Sequence, residues 1–253
     1  QKNNPNLTLK LRTKVQKIII ENNKAIGVEY INANNEVFKE FANKEVILAS
    51  GSFITPKILM LSGIGNEKEL STFGIKNIVN LPGVGENLID HPECPLIARA
   101  NGKYGYYKQG QGWRMIKNGL EFLLFGTGPV NSTGVEAGAF INPIDQDELA
   151  YIQAFFVPSI YMNSDTIGVI KDDYGMSITT VMTKPKSRGK VTLKSKDPKD
   201  MPLIELNLLK HPDDLKMMMA GQKFFLKALQ EGALGAKVKE VIIPNTKDLD
   251  DNK

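Results

Sequence analysis

The sequence predicts a mixed α/β (α+β) fold built from two kinds of sheet, and three observations carry that prediction. The near-continuous apolar run Val46-Ile-Leu-Ala49 leads through small residues into a short helical segment, the pattern of a central parallel strand buried on both faces. Ahead of it, residues 14–20, 25–31 and 36–42 are β-rich and separated by Asn-rich turns, as in an antiparallel meander. Farther on, residues 137–141, 150–157 and 177–182 read as strands of a different unit.

Taken in order, Glu21-Asn-Asn-Lys24 is the turn of a first hairpin, and Asn32-Ala-Asn-Asn35 leads into the third strand. The strand Glu45-Val-Ile-Leu-Ala-Ser50 then ends in Ala49-Ser50-Gly51. Such small residues leave the main chain bare, so a large anionic or planar ligand can approach it closely. Thr55 is a suitable N-cap for the next helix, with Pro56 at its first position and Gly63 in the left-handed position beyond its end. Trp113, Ile116, Leu120, Leu123 and Leu124 recur at helical spacing, and Gly126 follows as a stop. Residues 158–165 read as a loop. Leu215, Met218, Met219, Gln222, Phe225, Leu226 and Leu229 trace one helix face, with Pro212 at its start and Gly232 beyond its end. The acidic tail 248–251 is expected to fray.

Composition narrows the function classes. With 42% hydrophobic and 24% charged residues, the chain can bury a sizeable core, and its apolar runs are far too short to span a bilayer. A net charge of +4, with lysines scattered among acids, lacks the clustered basic face of a nucleic-acid binder. Cys94 stands alone, so neither an internal disulfide nor a thiolate metal cluster can form, and no metal site is expected. Asn6 and Asn131 begin glycosylation sequons, a short pattern that also arises by accident.

Four blocks resemble a known family. The run from Gly51 to Gly65, with Ser52, Thr55-Pro56, Leu59-Met60 and Ser62-Gly-Ile-Gly65, is similar to the second signature of the glucose–methanol–choline (GMC) oxidoreductases. Leu81-Pro-Gly-Val-Gly-Glu-Asn-Leu-Ile-Asp-His-Pro92 resembles that family's next block. Gly134-Val-Glu-Ala-Gly-Ala-Phe140 is similar to a segment of its alcohol and choline dehydrogenase branches, and Ser187-Arg-Gly-Lys-Val-Thr-Leu193 to the opening of its C-terminal part. Two family features are missing: the Gly-x-Gly-x-x-Gly dinucleotide motif and the His-Pro-type segment that supplies the catalytic base. The sequence therefore reads as an internal piece of a longer enzyme, with no catalytic residue of its own and the catalytic histidine expected beyond Lys253.

The resemblance implies a partial FAD-binding domain over residues 1–92, an antiparallel-sheet substrate-binding domain over 93–185, and a return toward the FAD domain over 186–253. FAD is the implied cofactor and a small-molecule alcohol, choline-like or aliphatic, the implied substrate. A primary alcohol would be oxidised to an aldehyde by hydride transfer to the flavin, while a histidine takes the hydroxyl proton, a role that suits imidazole with its pKa of about 6.5. Two alternatives stay open: a flavin-binding protein without redox activity, and a hydroxynitrile-lyase-type member. The electron acceptor is not indicated, no nucleic-acid partner or transmembrane segment is expected, and the setting best matched is the cytoplasm or the periphery of a bacterial inner membrane.

The resemblance implies a cofactor contact at Val15 through its backbone, and further contacts are expected at Ala49, Ser50 and Gly51 and at the polar cluster Asn87, Asp90 and His91. Against this, Val15 is equally one more strand residue, and Asp90-His91-Pro92 can simply tie down a loop. Glu136 is the expected substrate contact, because a carboxylate in a small apolar run needs a partner or a polar cavity. It would suit a cationic head group, but it could also face solvent or orient a neighbour. Tyr104, Tyr106, Tyr107 and Tyr161 could line a cavity or lie on an ordinary surface. His211, before Pro212, reads as an exposed helix-start residue.

Overall fold

The computed structural model of the chain describes residues 4–161, 170–171 and 173–244, so the acidic tail and the second half of the expected 158–165 loop lie outside the described residues. Two units result. Residues through Asp90 cluster with Arg188–Leu208, and His91–Ser187 cluster with the residues from Leu209 onward. The stretch expected to return as a whole to the first unit is thus divided at Leu208.

In the first unit, β1 (Lys14–Glu21), β2 (Lys24–Ile31) and β3 (Val37–Phe41) form a three-stranded antiparallel sheet in that order. Asn22 and Asn23 make the hairpin turn at φ 49° and 60°, the left-handed pair that a two-residue loop requires and Asn tolerates. There follow α1 (Gly51–Leu61), β4 (Ile64–Gly65), α2 (Glu67–Thr72) and β5 (Val79–Asn80), with β4 and β5 parallel. The Ser62 hydroxyl ties β1 to the end of α1, accepting from the Ile18 N–H at 2.8 Å and donating to the Ile58 carbonyl at 2.6 Å. Met60, Leu70 and Leu193 form one buried cluster of this unit. Lys57 of α1 is also buried and donates to the Pro198 carbonyl at 2.7 Å; burial, and then the charge of Lys14, pull its pKa down.

Two sequence expectations fail in this unit. Residues 45–49 run without a ladder partner among the described residues, and Ile47 is 78% exposed. Apolar composition cannot bury a ribbon that no strand flanks, and the described strands of this unit pair elsewhere. The helix also starts at Gly51 rather than Pro56. Gly51 turns the chain at φ 81°, Ser50 takes the cap position, and Thr55 instead accepts from the Ser50 N–H at 3.1 Å. Pro56 falls inside α1, where its missing N–H leaves the Ser52 carbonyl without a helical donor.

The second unit begins with β6 (Glu93–Ala100) and α3 (Gly112–Phe125), followed by β7 (Ala137–Ile141), β8 (Ile152–Val157) and β9 (Gly175–Met182). The chain then contributes the antiparallel pair β10 (Lys190–Thr192) and β11 (Leu203–Glu205) to the first unit. It finishes in the second unit with α4 (Pro212–Gln230), α5 (Gly232–Gly235) and β12 (Val238–Ile243). The antiparallel sheet has the order β12-β6-β9-β8-β7, and every residue of the central strand β9 is buried. Met218, Phe225, Leu226 and Leu229 of α4 pack on Leu96, Ala98, Ile152, Ala154, Met176 and Ile178 of the sheet. Within that contact Gln222 donates to the Cys94 carbonyl at 2.9 Å and to the Thr180 hydroxyl.

Buried Asp214 fixes the start of α4. Its carboxylate accepts from the N–H groups of Lys186 and Ser187 at 2.8 and 2.7 Å and from the Ser187 hydroxyl at 2.6 Å. Burial pushes its pKa up, but these hydrogen bonds outweigh it and hold the carboxyl below its ordinary range. His211 caps the same helix by accepting from the Asp213 N–H at 3.2 Å. In α3 the helix and its stop at Gly126 (φ 65°) fall where expected, yet the apolar stripe faces outward: Trp113 is 73% and Leu123 78% exposed, and Asn118 is the residue buried.

Candidate functional site

The bend at the start of α1 is open. Ala49, Ser50 and Gly51 are exposed, and a Cβ built on Gly51 would meet nothing within 4 Å. The Ser50 side chain does not cap the helix, and no acidic residue stands in its first turn, so the amide end of α1 remains suited to an anion. Ser52 and Pro56 line a cavity of about 230 Å³ together with Gly85, Asn87, Leu88 and Val191.

Close backbone approach builds the far wall of that cavity. Gly85, at φ 86°, accepts from the Val191 N–H at 2.7 Å, and any Cβ there would lie 2.2 Å from the Val191 carbonyl oxygen. Leu88 and Gly189 exchange two hydrogen bonds of 2.9 and 2.7 Å, and Asn87, just ahead of Leu88, is left-handed at φ 59°. Asn87 and the α1 start thus share one cavity. The other expected contacts do not line it: Val15 lies on β1 opposite Tyr30, and Asp90 and His91 are exposed at the boundary between the two units. Ser52 and Val191 carry no cofactor-contact signal of their own in the sequence, although both lie in the family-like blocks.

Glu136, just ahead of β7, is the centre of a second site. Its carboxylate accepts hydrogen bonds from the Tyr106 and Ser132 hydroxyls, and its N–H donates to the Phe156 carbonyl at 3.0 Å. The bonds from Ser132 and then Tyr106 hold its carboxyl below the ordinary glutamate range. Burial first, and then the bond to Glu136, raise the Tyr106 pKa, so its phenol stays a donor. An apolar cavity of about 310 Å³ lies along the strand that Glu136 precedes, lined by Ala137, Ala139, Phe156, Ile178 and Phe225. The other tyrosines are engaged elsewhere: Tyr104 with Lys237, and Tyr107 with Tyr174, while the Tyr161 N–H donates to Ser177. Among the described residues no group of acidic, His or Cys side chains is placed to hold a metal, and no helix is long and apolar enough to cross a membrane.

Comparison with known proteins identifies the family. The N-terminal model of the GMC oxidoreductase family matches residues 1–93, and its C-terminal model matches residues 185–253. An oxygen-dependent choline dehydrogenase of Escherichia coli O139:H28 is 33% identical over 97% of this chain and 44% of its own length. That of Escherichia coli K12 is 36% identical over 84% of this chain and 38% of the relative. The chain therefore spans less than half the length of these curated relatives. Among solved structures, a formate oxidase superimposes with a TM-score of 0.83 at 27% identity, covering 100% of this chain and 48% of that one. Pyridoxine 4-oxidase from Mesorbium loti (TM-score 0.72, 19% identity, 92% of this chain and 41% of that one) shares the fold. On the two family matches and the order of its blocks, the chain is a member of the GMC oxidoreductase family.

Proposed function

We propose that this chain supplies cofactor- and substrate-contacting surfaces of an FAD-dependent enzyme that oxidises a primary alcohol, choline-like or aliphatic, to the aldehyde. The observation that carries the reading is the bare bend Ala49-Ser50-Gly51, open to solvent at the uncapped amide end of α1. These residues fit a diphosphate: main-chain amides can reach it, no carboxylate in the first helical turn repels it, and no side chain at Gly51 blocks it. Asn87, on the same cavity as Ser52, would meet the cofactor next to them. Val15, Asp90 and His91 would complete its surroundings in the assembled enzyme.

When bound, FAD supplies the hydride acceptor. This chain's own residues bind and orient. Glu136 would hold the substrate end remote from the reacting carbon, and the apolar cavity beside β7 would take its hydrocarbon part and exclude water. The proton-accepting role is not assigned within the chain: His211 is committed to capping α4, and His91 lacks the family's base context. The chain alone is expected to be inactive.

The test is anaerobic addition of choline, aliphatic and aromatic alcohols to the flavin-loaded enzyme that contains this chain. Bleaching of the oxidised flavin by one of them is the expected result. No bleaching across the whole panel would sink the reading. Turnover without any electron acceptor would point to lyase chemistry instead.

A further inference from the structure

Helix α3 turns its apolar side outward. Polar groups tie it to the rest of its unit. Buried Asn118 donates to the Gln109 carbonyl and side-chain oxygen at 3.0 and 3.1 Å, and Arg114 donates to the Tyr174 hydroxyl at 3.2 Å. At about 100° per residue, Trp113, Ile116, Leu120, Leu123 and Leu124 form one stripe on the side away from Asn118. Each of the five is 50–78% exposed. At those exposures the stripe presents roughly 700 Å² of apolar surface, more than the ~300–600 Å² of the largest patch on a typical monomer.

The two flanks of the stripe differ. On one side Gly119 lies between Ile116 and Leu123. Glycine inside a helix costs about 1 kcal/mol relative to alanine, yet a Cβ at Gly119 would meet nothing within 4 Å. No contact among the described residues calls for a glycine here; a second helix crossing close to the backbone does. The other flank carries exposed Lys117 beside Glu121, whose carboxylate accepts from the Thr127 hydroxyl at 3.3 Å.

We propose that α3 is a self-association surface, closed by the same helix of a second copy of this chain running antiparallel across a twofold axis. Such an axis sets like flanks side by side. Trp113 then meets Leu123 of the second copy, and Ile116 meets its Leu120. Lys117 comes within reach of the second copy's Glu121, twice by symmetry, and the bare Gly119 positions let the two helices close. Pairing the stripes removes about 1,400 Å² from water, above the ~1,000 Å² that a specific interface needs. A lipid surface fits this helix less well, because it calls for cations along the rim and has no use for Glu121 or for a glycine gap. The proposal does not depend on the substrate reading.

The test is sedimentation velocity over a range of concentrations, on the flavin-loaded enzyme that contains this chain. Wild type is compared with Leu123→Glu, Leu124→Ser, Lys117→Glu and Glu121→Lys, with far-UV circular dichroism confirming that each is folded. A wild-type dimer is expected. Leu123→Glu should weaken it by roughly a hundredfold or more, because it buries an unpaired charge, and Leu124→Ser should weaken it in the same direction. Each single charge reversal should weaken it about three- to tenfold, by replacing two attractions with two repulsions. An equimolar mixture of Lys117→Glu and Glu121→Lys should dimerise better than either alone, since both cross-pairs are then restored between copies. A dimer indifferent to all four substitutions would overturn the proposal. A wild-type monomer would overturn it too, and would mean that another part of the same enzyme covers the stripe. If that monomer floats with phosphatidylglycerol vesicles and Leu123→Glu does not, a lipid surface is the occupant instead. Failure of the mixture to dimerise, with Leu123→Glu monomeric, would overturn the antiparallel pairing.

Discussion

Two ribbons of this molecule invert the usual link between composition and burial. Residues 45–49 are almost wholly apolar, yet Ile47 is 78% exposed and no strand among the described residues lies alongside. In β9, Ser177, Thr179 and Thr180 stand among apolar residues, yet all eight positions are buried, because β6 and β8 pair with it on both edges and α4 covers one face. Burial is set by neighbours. Hydropathy states only what a ribbon can tolerate.

The comparison breaks most readily at two isoleucines. Ile178, 5% exposed in β9, packs against Leu96 and Phe156 on neighbouring strands, so Ile178→Ala should cost about 2–5 kcal/mol by removing contacts and leaving a cavity. Ile47→Ala removes the same atoms from an exposed position and should change stability by no more than about 0.5 kcal/mol. Urea unfolding of the two variants checks this. Equal losses would mean that residues 45–49 are covered in solution.

A smaller contrast lies at the two exits. The chain beyond β9 is pinned at Lys186 and Ser187 by three hydrogen bonds to buried Asp214, whereas Ser50 has a single bond to the exposed-side hydroxyl of Thr55. Asp214→Ala strands two amides and a hydroxyl, and should cost about 1–3 kcal/mol. Thr55→Ala should cost only about 0.5–1 kcal/mol. The sign of the pH effect follows from the lowered folded-state pKa of Asp214. Its contribution is fully present above the ordinary carboxylate value and is lost as pH falls through the folded-state value, so Asp214→Asn should flatten the loss of stability below about pH 4. Urea midpoints measured on both sides of that pH decide it, and an unchanged acid limb would mean that other carboxylates govern acid unfolding.

What could be seen in the sequence follows the range of the interactions involved. The Asn22-Asn23 turn, the stop at Gly126 and the buried face of α4 are local, and their residue types announce them. Strands β6 and β12 are not announced: Pro95 and Arg99 interrupt the first, Lys239 and Glu240 the second, and only their pairing with each other and with β9 makes them strands. At the candidate sites the bare bend and Glu136 are visible as residue types. Tyr106 as the partner of Glu136 is not, because the link runs through the backbone of Pro158, a long-range contact that leaves no spacing to read.

The finest test stays inside β9, between adjacent threonines that are both almost fully buried. Thr180 donates its hydroxyl to the Cys94 carbonyl at 3.0 Å and accepts from Gln222, whereas the Thr179 Oγ1 has no hydrogen-bond partner among the described residues. Valine matches threonine in shape, so each substitution isolates one hydroxyl. Thr180→Val should destabilise by about 1–2 kcal/mol, because it also leaves the Gln222 amide short of an acceptor. Thr179→Val should be neutral or stabilising by up to about 1 kcal/mol, since it removes a desolvated group that nothing satisfies. Thermal unfolding resolves the pair. Should Thr179→Val destabilise as much as Thr180→Val, its hydroxyl must be bound in solution by water or ligand, and the β9 face opposite α4 would then be a wet surface rather than a dry core.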